Sequence, residues 1–517
     1  MGRNRILLPS VAETIFLSIF VFLSLGYGAG LLGDGDTGYH IRAGEFILAR
    51  RTVPKADIFS FWEPPLPWMA HEWLSEVIMA IVHAATGLTG MVVMFSFVLA
   101  LTFALLYKML REHRTDALLA LVVTYLAAVS SALHWLARPH VFSLLLTVVW
   151  YRLLNRFQYG GRGRLGLLPL VALLWVNLHG GFILGLVLLG IYAACNVVAA
   201  ATDPLDSQSH WIRAGKLSVC LLACIAVSVV NPRGWDMLIF PFQLTSNRFI
   251  LDHISEFLSP NFHRPLPFKY LLMLCVALLA WTKTRLDWIE LALILIFTYM
   301  ALFSARYIPL WAIVTAPILC RLARRTIAEL PPRLGAFWQT RAGNLERIEQ
   351  RTRSYVWSGA GLAVVATLVA TGAFKVDFDA KRFPAEAVEF LRREHIPGRM
   401  FNDDEYGDYL IYKAWPQYRV SFDGRSDMYG EKMGREYLKM VQVLPGWEKT
   451  AEDYGIGWVF VPTRSSLAAV LAAREDWRPI YSDRVATIFV RNNETYRALI
   501  QKYPAVKVQF PEAENST

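Results

Sequence analysis

Apolar residues recur along this chain in runs of roughly twenty, the length at which a helix crosses a ~30 Å hydrocarbon core. Eleven runs stand out: residues 11–32, 76–106, 117–133, 140–155, 165–178, 181–200, 216–230, 268–282, 287–303, 307–321 and 355–374. The first is too long for the apolar core of a signal peptide, and no small-residue cleavage site precedes Asp34, so it is expected to remain as a helix. Beyond residue 374 the pattern changes. Pro384 opens "PAEAVEFLRREH" at helical spacing, with proline in the first turn. Short runs "YRVSF" (418–422), "GWVFVP" (457–462) and "VATIFV" (485–490) then read as strands, separated by helical stretches such as 464–475. The expected fold is a multi-span α-helical membrane protein of about eleven transmembrane helices, residues 1–374, with a first outer loop at 33–75. Residues 375–517 follow as a C-terminal soluble α/β domain.

Composition strengthens this reading. Of 517 residues 55% are apolar and only 18% charged, against about 25% charged in ordinary soluble domains. The net charge of +10 raises the question of nucleic acid, which its distribution answers. With Arg3 and Arg5 in the cytoplasm, the loops on that side hold 21 Lys and Arg in 91 residues, and the opposite loops hold 9 in 95. That bias is the positive-inside rule, so the excess charge reports topology and not a nucleic-acid partner. An odd number of spans puts residues 375–517 outside, on the face of the first loop. A multi-pass plasma membrane protein is expected, with the bacterial inner membrane as its place. The five cysteines all lie inside apolar runs, with neither disulfide nor metal spacing.

Distinctive polar residues then gather on the outer face: "GDGDTGYH" (33–40), "WMAHEWLSE" (68–76), "HWLARPH" (134–140), "NLHGG" (177–181), "NPRGW" (231–235), "ISEFLSPNF" (254–262) and "SARY" (304–307). Ionisable groups near membrane depth are costly and are usually retained for a site or pathway. Each piece has a plainer reading. Interfacial His and Trp serve as belt residues, "RPH", "NPRGW" and "NLHGG" suit turns at helix ends, and Asp34 suits the cap of a short helix from Thr37 to Arg50. What the plainer readings leave unexplained is that all of them fall on one side.

An acidic loop after the first span, a helix, and "W…HEWL" leading into the second span resemble the GT-C superfamily. Its members are multi-span glycosyltransferases that use sugars carried on polyprenyl phosphates, among them protein O-mannosyltransferases and oligosaccharyltransferases. "RPH", "NLHGG", "NPRGW", "ARY" and "FNDDEYGDYLIYKAWPQYRVSFDGRSDMYG" (401–430) are similar to marks of bacterial members. The resemblance implies a polyprenyl-phosphate sugar donor, a protein, lipid or glycan acceptor, and a carboxylate in the first outer loop as general base. Here that is Asp36 or Asp34, with "DTGYH" favouring Asp36. A divalent cation, Mg or Mn, is a possible cofactor, with Asp34, Asp36 and His179 as its ligands.

The leaving phosphate requires cations at an outer helix end, for which Arg306, Arg138 and Arg233 are candidates, Arg306 foremost. The plainer reading of Arg306 is an ion pair with an outer acid such as Glu256. His40, His71, Glu72, His140 and His179 are candidate substrate-binding groups. Asp423 and Arg425 join them, or else form a hydrogen-bonded turn. No Gly-rich phosphate fingerprint opens a helix, so a nucleotide-sugar site is not supported. Two other classes compete: a lipid or polysaccharide transporter, which calls for polar groups near the midplane and broken helices, and a non-catalytic envelope assembly protein.

Overall fold

The computed structural model describes residues 8–161, 163–352 and 355–510, so Arg3 and Arg5, on which the cytoplasmic N-terminus rests, lie outside the described residues. The chain divides into two compact units. One comprises Met1–Gly28, Thr89–Ser246 and Leu251–Lys375; the other comprises Ala29–Leu88, Asn247–Ile250 and Val376–Thr517. Residues of the first outer loop therefore pack in the same unit as the C-terminal stretch, four hundred positions away along the chain in round terms.

The first unit is helical. Every apolar run singled out above falls on helix. Five helices are long and apolar enough to cross a bilayer: Trp73–Glu112, Ala117–His134, Gly180–Thr202, Ser207–Ser228 and Ala305–Ala328. Shorter apolar helices cover Val11–Gly26, Leu165–Leu178, Pro267–Trp281 and Trp288–Phe303. Helix His140–Gly160 carries Arg152, Asn155, Arg156 and Gln158 in its last turns, which dilutes its apolar character. Phe16 and Phe20 of the opening helix pack with Ala100, Ala104 and Val365 in one apolar cluster. Leu170, Leu174, Val219, Leu222, Met273 and Val276 are exposed, an arrangement that water would penalise and lipid satisfies. The protein is a multi-pass membrane protein.

The long helix Trp73–Glu112 breaks at Gly87, whose φ of 64° is left-handed backbone that a side chain resists. The turns before the break belong to the second unit, with a mixed four-stranded sheet: β1 (Arg399–Asn402), β2 (Ile456–Pro462), β3 (Trp477–Ser482) and β4 (Ala486–Arg491) in the order β1-β2-β4-β3. β1 runs parallel to β2, and β4 lies antiparallel to both β2 and β3. Phe401, Met440, Trp447, Val459, Val461, Leu467, Trp477 and Phe489 form the core on one face. The helix after Pro384 is Ala385–Arg393, and the stretch 464–475 holds helix Ser466–Ala472.

Two expectations shift. "YRVSF" is not a strand of this sheet. Val420 instead bridges to Ser60 of the first loop, exchanging backbone hydrogen bonds with Phe59 and Phe61 at 3.2 Å. β1 and β3 were hidden in the pattern, β1 because it is four residues long and β3 because Arg478 and Pro479 interrupt its apolar run.

Candidate active site

Helix Asp36–Arg50 begins immediately after the acidic loop, and Asp34 Oδ1 accepts the Asp36 N–H at 2.9 Å. Asp34 is thus partly the cap that its plainer reading described. Asp36 is 7% exposed. What buries it is helix Asp404–Ala414, which approaches closely because Gly38 has no side chain. A Cβ at Gly38 would stand 2.7 Å from Tyr412 Cβ and 2.8 Å from the Asp408 carbonyl.

Asp408 lies on that second helix and is 1% exposed. Both its oxygens accept from the Gly424 N–H, at 3.1 and 3.2 Å. A Cβ on Gly424 would collide with Asp36 Oδ1 and stand 3.0 Å from Asp408 Oδ2, so the two carboxyl groups meet at this glycine. Burial pushes the Asp408 carboxyl well above the usual range, and the charges of Asp36 and Asp423 push it further. Beside Asp36, the Asp408 carboxyl therefore favours its protonated form more than a free aspartate does.

One turn on from Asp36, His40 is buried against the start of helix Trp73–Glu112. Its Nδ1 lies 3.3 Å from Glu76 Oε1 and its Nε2 lies 3.6 Å from Glu72 Oε2. His71 donates Nδ1–H to the Met69 carbonyl at 3.0 Å and sets Nε2 3.8 Å from Glu72 Oε1. The expected residues His40, His71 and Glu72 form one chain of alternating imidazole and carboxylate.

Asp423 and Arg425 follow the hydrogen-bonded reading. Arg425 donates Nε–H and Nη2–H to the two oxygens of Asp423 at 2.8 and 2.6 Å, and its Nη2 reaches Asp57 Oδ1 at 2.8 Å. The guanidinium lies 4.9 Å from the Phe59 ring and 4.6 Å from the Trp68 ring. Tyr429 adds a hydroxyl to Asp423 at 2.8 Å. Burial alone would depress Arg425, but Asp423 and Asp57 outweigh it and hold the cation firmly charged. These residues clamp the first-loop segment around Asp57 to the segment that carries Gly424.

The other unit holds a second cluster. Arg138 Nη1 pairs with Glu256 Oε1 at 2.6 Å. The Arg306 N–H donates to the Glu256 carbonyl at 3.3 Å, and its guanidinium lies 4.3 Å over the Phe257 ring. His140 Nε2 donates to the His134 carbonyl at 2.8 Å, and the two rings sit 4.6 Å apart. Burial works against ionisation of Glu256, yet Arg138, His134, Arg306 and His140 together hold its carboxyl well below the usual range. Glu256 thus gathers Arg138, His140 and Arg306.

Arg233 stands in a turn of its own, its N–H on Asn231 Oδ1 at 2.7 Å and its charge facing Asp236. His179 ends helix Leu168–Leu178 in another turn. Its Nδ1 accepts the Gly181 N–H at 2.8 Å and takes the Ser143 hydroxyl at 2.9 Å, while that oxygen accepts the Trp175 indole N–H at 2.7 Å. The ring therefore turns an N–H, not a lone pair, outward at Nε2.

This bears on a divalent cation. His179 spends its Nδ1 lone pair on the Gly181 N–H, and Asp34 spends one oxygen on the Asp36 N–H. Among the described residues no three ligating side chains converge on one point.

Three residues escaped the sequence reading. Glu76 was discoverable, since it follows Glu72 by four positions and shares its helix face. Asp408 stands among Tyr406, Tyr409 and Leu410, where an acid on an apolar face is a signal. Asp57 left none.

No family model matches the chain and no curated protein matches it. Solved structures do. Archaeal oligosaccharyltransferase AglB from Archaeoglobus fulgidus, in complex with an inhibitory peptide and a dolichol-phosphate, aligns with a TM-score of 0.57 at 12% identity, over 88% of this chain and 69% of that one. The apo form of the Archaeoglobus fulgidus oligosaccharyltransferase gives 0.53 at 12% identity, over 93% and 74%. The form tethered by a disulfide to an acceptor peptide with the NVT sequon gives 0.54 at 14% identity, over 88% and 69%. The chain thus shares the fold of these archaeal oligosaccharyltransferases.

Proposed function

We propose that this protein is a membrane glycosyltransferase of the GT-C type. It moves a sugar from a polyprenyl-phosphate-linked donor to an acceptor on the extracytoplasmic side, with eleven crossings and the C-terminal domain outside. Asp36 is the general base. The acceptor's hydroxyl or amide attacks the anomeric carbon, its proton passes to a carboxylate oxygen of Asp36, and the bond from that carbon to the phosphate oxygen breaks with its electron pair leaving on phosphate. Asp408, fixed by the Gly424 N–H and with its carboxyl raised by burial, positions Asp36. Arg138 and Arg306 hold the departing phosphate as charge grows on it. Glu256 offsets one of those two cations and keeps both at one helix end. The dolichol-phosphate and the acceptor peptide bound by the archaeal neighbours support a lipid-linked donor and a protein acceptor.

The observation that carries this reading is the meeting of two buried carboxyl groups, those of Asp36 and Asp408, at Gly424. Asp36→Asn keeps the shape and removes the base. It is expected to lower transfer from extracted lipid-linked donors by about 10²–10⁴-fold with membrane insertion and melting temperature unchanged. Turnover at the wild-type rate rejects the assignment.

A further inference from the structure

The first unit carries a polar slot that the proposed chemistry does not use. Its cavity of about 160 Å³ is lined by His113, Tyr151, Asn155, Glu290, Arg321 and Arg324. One water needs only ~10–15 Å³ by this kind of measure, so the slot admits a polyatomic group. Tyr151, Asn155 and Tyr159 are four residues apart along helix His140–Gly160 and form one stripe. That helix begins at His140, beside the Arg138–Glu256 cluster, so Tyr159 lies about 28 Å further along it. The slot is at the far ends of helices whose other ends carry the arginines assigned to the donor.

Charge in the slot is unevenly spent. Glu290 accepts from Arg321 Nε–H at 2.6 Å and also from Arg321 Nη2–H, and its second oxygen caps Asp287 N–H at 3.0 Å. Tyr159 gives its hydroxyl to Asp287 at 2.8 Å. Both acids are thereby engaged. Arg324 is exposed, with its Nη1 3.4 Å from the Arg114 carbonyl, and His113 and Tyr151 line the slot with it. The base of the slot is apolar, formed by Leu293, Pro317 and Ile318.

Immediately beyond Arg324 runs helix Pro332–Arg351. It carries Arg333, Arg341, Arg347 and Arg351 together with exposed Leu334, Phe337 and Ile348. Basic and apolar groups mixed on an exposed helix suit the headgroup layer of a bilayer. Arg324 of the slot is followed, eight positions on, by this basic and apolar helix.

We propose that this slot binds the phosphate head group of an anionic membrane lipid, with Arg324 on the phosphate and the first lipid carbons against Ile318 and Pro317. The site is separate from the donor site at the opposite helix ends and stands or falls without the transferase reading.

The test is native mass spectrometry of the purified full chain in detergent, titrated with phosphatidylglycerol, phosphatidylcholine or sn-glycerol 3-phosphate. Wild type is expected to retain phosphatidylglycerol in preference to phosphatidylcholine and to ignore the free phosphate ester. Arg324→Gln, at an exposed position, weakens retention of phosphatidylglycerol at least about tenfold, the scale of one charged hydrogen bond. Ile318→Trp fills the slot and abolishes it. Melting temperatures report whether the variants fold; where the tryptophan prevents folding, Tyr151→Phe replaces it, with an expected loss of about fivefold. Equal binding by wild type and either variant, equal retention of the two lipids, or binding of glycerol phosphate as tight as that of the lipid overturns the proposal.

Discussion

Arg425 offers a test that needs no substrate. The guanidinium is 2% exposed and neutralises two buried carboxylates, those of Asp57 and Asp423. Arg425→Met keeps most of the volume against Phe59 and Trp68 but strands two negative charges in a place water cannot reach. Breaking a buried pair in this way costs about 3–5 kcal/mol, a large share of the ~5–15 kcal/mol that holds a domain together. At roughly 2–4 °C per kcal/mol for a body of this size, the melting temperature of the full chain in detergent falls by about 6–20 °C. Arg425→Lys is expected in between, because an ammonium keeps the charge but lacks the planar fork that spans Asp423. The decisive variant removes all three charges: Asp57→Asn, Asp423→Asn and Arg425→Met together. Replacing a buried ionic group wholesale is often neutral, so this triple variant recovers most of the lost melting temperature. If R425M melts like wild type, or the triple variant melts no higher than R425M, the clamp does not hold the first loop to the segment around Gly424.

Gly424→Ala sets a methyl against Asp36 Oδ1. A shift of about 1 Å in the base is expected to cost about 10²-fold in transfer, measured on extracted lipid-linked donors, and activity within threefold of wild type contradicts the carboxylate geometry. The Asp403 carboxyl is pushed up to about 7, first by burial and then by Asp404 and Glu405. Its folded form prefers the proton, so the stability it contributes is complete below about pH 4 and is lost as pH rises to about 7. Asp403→Asn should flatten the melting temperature over that window, and a wild-type slope in the variant removes Asp403 as the cause. Ser466→Cys sits on an exposed helix start next to the capping Ser465. It should react with an impermeant maleimide on intact cells, and reaction only after permeabilisation inverts the topology.

That the chain is helical and crosses a membrane more than once was readable because an apolar run long enough for a bilayer has few other uses. Pattern reading was also sufficient for β2 and β4, whose β-branched and aromatic runs stand between turn residues, but not for β1, which is too short to show a period. "YRVSF" misled because its alternation is real while its partner, the segment around Ser60, is distant in sequence. The site divides along the same line. Asp36, His40 and Glu72 announced themselves as costly groups near an apolar run. Asp408 and Asp57 matter only through the company they keep, and that company is assembled by contacts spanning hundreds of residues. Nothing local marks Asp57 as the counter-charge of Arg425.

Helix Asp36–Arg50 is pressed from two sides: at Gly38 by the helix of Asp408, and at Gly44 by the Glu76 carbonyl and by Ala80, whose Cβ would stand 2.8 Å from an added methyl. Its position is set by hydrogens touching backbone, which is a harder limit than any hydrogen bond. A lineage could change the charges around Asp36 and thereby retune its chemistry, yet it could not enlarge Gly38 or Gly44 without driving the helix sideways. The aim of the Asp36 carboxylate is therefore inherited from two missing side chains.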